Sequence, residues 1–138
     1  MKYILDTNTV SDVMKGEPAV LARLRKAERL KVFLPQPVIA ELAFGIERLP
    51  ASKRKTELQS RFDLILGELG RIDWTDSVSQ AFGAIKTTLE RDGQKMEDFD
   101  IAIAAHAVAS AGVLVSGNLK HMQRVPGLRV ESWSSPPK

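Results

Sequence analysis

The sequence predicts an α/β domain with a mainly parallel sheet of four to five short strands sandwiched by helices. Three observations carry that prediction. Apolar runs such as Tyr3-Ile4-Leu5 and Val113-Leu114-Val115 are too short for helices and are bounded by polar or breaking residues. Between the runs lie longer segments whose apolar residues recur at helical spacing. Strands that alternate with helices in this way read as crossover units, which join parallel strands. The 138 residues contain no internal repeat, low-complexity tract or linker, so one domain over 1–133 with a loose tail at 134–138 is expected.

Each element has its own signal. Lys2 to Leu5 reads as a buried strand. Thr7 or Asn8 can cap a first helix from Val10 to Lys15, which Gly16 ends. Pro18 suits the first turn of a second helix running to about Glu28, with Val20, Leu21 and Leu24 on one side. Lys31 to Leu34 is a second strand. Pro35 and Pro37 break it and open a helix from Val38 to Arg48, which Pro50 ends. Ser52 starts a long helix striped by Leu58, Phe62, Ile65, Leu66 and Leu69. Arg71 to Trp74 is a short strand candidate, and Thr75 caps a helix from Asp76 to Arg91. Asp92-Gly93 is a turn. Asp98 opens an Ala-rich helix from Phe99 to Ser110, which Gly112 closes. Val113 to Val115 is a strand, Ser116-Gly117-Asn118 a polar turn, and Leu128 to Val130 the last strand.

Composition excludes several function classes. There is no cysteine, so neither a disulfide framework nor Cys-ligated zinc is available. His106 and His121 are the two histidines, too few for a His-rich centre. A bound metal is therefore expected to be oxygen-ligated, which favours Mg²⁺, Mn²⁺ or Ca²⁺. No leader-like apolar region precedes Asp6, and no run approaches the ~20 apolar residues of a membrane span. The expected location is the cytoplasm, with no membrane partner. Net charge is +3, so clustering of the functional acids would leave the remaining surface more basic still, a surface that attracts polyanions.

The acids fall at suggestive places. Ligand sites in open α/β sheets lie beyond the carboxyl ends of the strands. Asp6 ends the first strand, and Ser116 to Asn118 follow a later one. Glu41 in "PVIAELAFG", and Asp98 and Asp100 in "MEDFDIAIAAHA", sit near helix starts on the same side. Each has a purely structural alternative: Asp6 and Asp98 as helix caps, Asn118 as a turn residue. Glu41 has less excuse, with Ile39, Ala40, Leu42 and Ala43 around it. Gly45 shares its helix face and implies close approach there, while Ala104 leaves room on the face of Asp100. Carboxylates gathered at one point repel, an arrangement that a divalent cation relieves. Such an ion activates water and stabilises a phosphoryl group. A basic chain with an oxygen-ligand pocket thus suggests phosphodiester hydrolysis.

Four motifs in order resemble the PIN-domain ribonucleases, and most closely the VapC toxins of bacterial toxin–antitoxin modules. "LDTNTVSDV" is similar to the opening motif, "VIAELAFGIE" to the second, "DFDIAIAAHAVA" to the third and "LVSGNLKHMQRVPGLRVESW" to the closing one. The resemblance runs almost end to end. It implies a PIN-like fold and a Mg²⁺-dependent endoribonuclease (Mn²⁺ also serving) that cuts structured RNA, often tRNA, and blocks translation. It places the catalytic acids on Asp6, Glu41 and Asp100, with Asp6 and Asp100 as direct metal ligands and Glu41 ligating directly or through water. Asp98 is then a second-site or outer ligand, and Thr7, Asn8, Ser116 and Asn118 are supporting groups. A homodimer and a complex with a cognate antitoxin are implied. Val10, Val13, Val20 and Leu24 offer antitoxin surface, or else are simply core. Lys53, Arg54, Lys55, Lys120 and Arg124 are candidate RNA guides. The chain departs from the family where the closing motif carries a further acid: Ser116, Gly117, Asn118, His121 and Met122 occupy those places.

Two alternatives remain open at this level. A catalytically weak PIN domain would bind RNA or a protein without cutting. "DTNTV" also partly resembles the loop of haloacid-dehalogenase phosphatases, although Asn8 stands where their second, titrating Asp is needed.

Overall fold

The computed structural model describes residues 1–134; of the expected tail, Ser134 is described and the rest lies outside the described residues. Five strands form one parallel sheet in the order β3-β2-β1-β4-β5, which realises the expected α/β architecture. They are β1 (Tyr3–Leu5), β2 (Val32–Pro35), β3 (Gly70–Ile72), β4 (Val113–Val115) and β5 (Arg129–Glu131). The helices are α1 (Thr7–Lys15), α2 (Pro18–Lys26), α3 (Gln36–Glu47), α4 (Lys53–Glu68), α5 (Asp76–Arg91), α6 (Asp98–Ala109) and α7 (Leu119–Met122). The connection that leaves β1 runs toward β2 on one side of the sheet, and the one that leaves β4 runs toward β5 on the other. That reversal opens a crevice at the carboxyl ends of β1 and β4, where α/β sheets bind ligands.

Two apolar clusters hold the layers. The larger packs Ile4, Leu5, Val32, Leu34, Leu114 and Val115 of the sheet against helices that include α1, α3 and α4. The smaller joins Val78, Ile85 and Leu89 of α5 to Ile101, Ala104 and Ala105 of α6. Every residue from Ile101 to Ala107 is buried, so α6 is apolar all round and works as a central pillar. Its alanines let α5 approach closely. Ala104 therefore does not leave room for a ligand beside Asp100: α5 fills that space.

Several boundaries differ from the sequence reading, for physical reasons. α1 begins at Thr7 rather than Val10, because Asp6 itself is the cap and its carboxylate accepts the Thr7 N–H at 2.8 Å. β3 stops at Ile72, opposite Pro35, where β2 turns into α3 and offers no further partner. β5 is shifted to Arg129–Glu131 because its ladder pairs Glu131 with Val115. Gly112 does not supply the left-handed residue after α6; Ala111 does, at φ 55°. Gly112 is required by crowding instead, since a Cβ there would lie 2.3 Å from Ile4 Cδ1 and 3.3 Å from the Lys2 carbonyl oxygen. α7 was not expected at all.

Candidate active site

Asp6 leaves β1 at the switch point of the sheet and is 4% exposed. Its backbone N–H donates to the Val115 carbonyl, so the neighbouring strand β4 holds its main chain. Ser116, fully buried at the end of β4, donates its hydroxyl to Asp6 Oδ2 at 2.8 Å. Thr7 serves two acids. Its N–H caps onto Asp6 Oδ1, and its hydroxyl donates to Glu41 Oε1 at 2.6 Å. Glu41 thus enters from α3, a helix whose other face holds Val38, Leu42 and Ile46 in the core. Asp100 enters from the first turn of α6.

Burial pushes the Asp6 carboxyl above its ordinary value. The hydrogen bonds from Ser116 and Thr7 oppose that rise, and the nearby charges of Asp100 and Glu41 reinforce it. Glu41 and Asp100 both act on Asp6 although the three come from distant segments. Each is turned toward its own donor, and among the described residues no three acidic or imidazole groups converge on a single ion-sized point in this side-chain arrangement. The donor set is nonetheless hard oxygen throughout. That chemistry fits Mg²⁺ or Mn²⁺.

The remaining expected site residues divide. Asn8 is a latch rather than a reacting group: its Oδ1 accepts the Gly117 N–H at 2.8 Å, tying the turn after β4 to α1. An amide does not titrate, so Asn8 cannot be the second acid on which the phosphatase alternative depends. Thr9, which the sequence reading missed, adds a buried hydroxyl bond to the Val115 carbonyl at 2.8 Å. Asn118 is exposed, and its N–H donates to Ser116 Oγ at 3.0 Å. Asp98 does not join the cluster. Its carboxylate, 64% exposed, is engaged by Lys86 of α5 at 2.9 Å, and it is absent from the acids that act on Asp6. The expected second-site ligand is therefore a surface ion-pair partner in this fold. Asp98 does not cap α6 either; Glu97 precedes the helix without a side-chain cap bond.

A groove of about 480 Å³ opens beside Glu41, bordered by Thr7, Gly45, Arg48, Arg54 and Arg61. A Cβ on Gly45 would meet nothing within 4 Å, so the glycine faces open space as its position next to Glu41 suggested. Of the expected basic guides, Arg54 lies on this groove. Arg48 and Arg61 join it only because α3 and α4 pack together. Val10 and Val20 are enclosed at 0% and 1% exposure, so for them the core alternative holds and they present no partner surface.

Comparison with known proteins agrees with this geometry. The family model described as PIN domain matches residues 3–128. Ribonuclease VapC2 of Rickettsia felis is 33% identical over 135 residues, covering 96% of this chain and 98% of that protein. The tRNA(fMet)-specific endonuclease VapC of Salmonella typhimurium is 28% identical, again over 96% of this chain and 98% of its own length. The crystal structure of Rickettsia felis VapBC2, bound to a DNA fragment from its promoter, superposes with a TM-score of 0.86 at 31% identity, covering 96% and 99% of the two chains.

Proposed function

This chain belongs to the PIN-domain family, and we propose that it is a VapC-type endoribonuclease toxin, dependent on Mg²⁺ or Mn²⁺ and restrained by a cognate antitoxin. The observation that carries the reading is that Glu41 and Asp100 both lie near enough to act on Asp6 at the carboxyl ends of β1 and β4. Asp6 and Asp100 would hold the cation directly, and Glu41 directly or through water. When bound, the ion supplies an activated water and offsets charge on the phosphoryl group. Ser116 and the Thr7 N–H hold Asp6 in one orientation, and the Thr7 hydroxyl holds Glu41. Asn8 and Asn118 support that frame through Gly117 and Ser116. Arg48, Arg54 and Arg61 give the groove beside Glu41 the charge to receive RNA phosphates.

The substrate we infer is structured RNA, tRNA above all, because one relative is a tRNA(fMet)-specific endonuclease. Cutting it would block translation, a role that belongs in the cytoplasm. The Rickettsia felis VapBC2 structure supports a heterocomplex with an antitoxin, and we infer that this chain also pairs with a second copy of itself. No described helix is long and apolar enough to cross a membrane.

Incubating the protein with total RNA and Mg²⁺ or Mn²⁺, then mapping new 5′ ends, tests the reading. Discrete cuts should appear, vanish with chelator, and fall by orders of magnitude in Asp6→Asn. RNA that is bound but uncut under every metal condition would instead favour the catalytically weak binding module.

A further inference from the structure

His121 lies outside the set of acids, yet the fold delivers it to one of them. Its Nε2 is 3.3 Å from Oδ2 of Asp100. Both side chains are largely shielded, at 24% and 30% exposure, unlike the solvated pairs that contribute little. Both are also firmly mounted. Asp100 begins the buried pillar of α6. His121 sits on α7, pinned to the body by Met122 and Val125 at 1% and 3% exposure. An ionised carboxylate only accepts, so the ring nitrogen is the donor.

The other two carboxylates show what such a donor is for. Asp6 is oriented from the end of β4 by Ser116, and Glu41 from α1 by Thr7. In each case the donor comes from an element other than the acid's own. Among the described residues, His121 is the side chain that does this for Asp100. It is also the base paired with any of the three acids.

The geometry points to His121 as a positioning residue for Asp100: its ring N–H holds Oδ2 and so fixes the orientation of a carboxylate that would help hold the cation. This inference rests on the nuclease reading above. The competing role is a direct RNA contact, since the ring also borders an open depression of about 500 Å³ with Lys95, Met96 and Glu97.

Two variants separate the roles. His121→Gln keeps a donor of similar reach, and His121→Leu keeps bulk without one. For each, the melting temperature is followed against Mn²⁺ concentration without RNA, and kcat and KM are measured on an RNA cut by the parent. Positioning predicts that His121→Leu folds normally without metal but loses about 10- to 100-fold in Mn²⁺ half-saturation and kcat, as when an outer partner of a metal ligand is removed. KM for RNA should hardly move, and His121→Gln should recover most of the loss. A raised KM with an unchanged Mn²⁺ response would make His121 an RNA contact and overturn the proposal. So would parent-like values of all three in His121→Leu, or a Gln variant as impaired as the Leu variant. A parent that neither responds to Mn²⁺ nor cuts RNA would overturn the nuclease reading itself, a result distinct from all of these.

Discussion

His106 shows how a single enclosed residue can set the acid limit of the fold. It has no solvent exposure, and its ring packs edge-on to Trp74 at 5.2 Å between centroids. Nδ1 lies 2.7 Å from the Ala102 carbonyl, which can only accept, so Nδ1 carries the proton and Nε2 is left a buried acceptor without a partner among the described residues. Burial lowers its pKa from the ordinary 6.5, more than the bond to Ala102 raises it. As pH falls below that unfolded value, the unfolded chain takes a proton that the folded ring resists. Stability tied to His106 is thus present above the unfolded pKa and lost as pH falls toward the folded one. In His106→Leu, melting temperature should decline less between about pH 7.5 and 5 than in the parent, because this titration is gone. At neutral pH the variant should be at least as stable, since an unsatisfied buried polar atom costs about 1–3 kcal/mol. Thermal melts across that range check both points, and parallel declines in the two proteins would remove His106 as the cause.

At the scale of elements, α3 does two opposed jobs. One face packs Val38, Leu42 and Ile46 into the core, while Glu41 and Gly45 face the groove. Glycine within a helix costs about 1 kcal/mol relative to alanine. The open space over Gly45 means that a side chain can be added without a clash. Gly45→Leu should therefore melt at the parent's temperature or higher, yet cut RNA less well, through a raised KM as the leucine fills the groove. Steady-state kinetics beside a melt decide this; parent-like kinetics would mean that RNA does not use the groove. α7 illustrates the reverse case. Four residues carry too little pattern to be read as a helix; Met122 at its end is buried, as is Val125 in the turn that follows.

Across the whole molecule, net charge is +3 while three acids are gathered into one site, so the rest of the surface is more basic than the total. RNA binding should be driven largely by counterion release, with log affinity falling by roughly 0.7 per single-strand phosphate neutralised for each decade of salt. Titrations with Asp6→Asn, which binds without cutting, at several salt concentrations give that slope. A flat response would argue that the basic groove serves a protein partner instead. The single β1 switch point also explains why one site serves the whole chain: a parallel sheet offers its crevice where the connections diverge.

Local pattern is what the amino-acid order made legible. The strand runs, the helix spacing and the placement of Asp6 after a strand and of Glu41 and Asp100 near helix starts were legible, because each depends on a few consecutive residues. The family likeness was legible for the same reason, as four short motifs in order. Only the tertiary structure decided how distant side chains share partners. Asp98 and Asp100 are two residues apart, yet α5 brings Lys86 to the first, while α7 brings His121 to the second. Ala104 promised space that α5 takes up, and Val10 and Val20, which one reading put at a partner surface, close the core. Periodicity states which face of a helix is apolar, but what covers that face depends on packing between elements far apart in the chain.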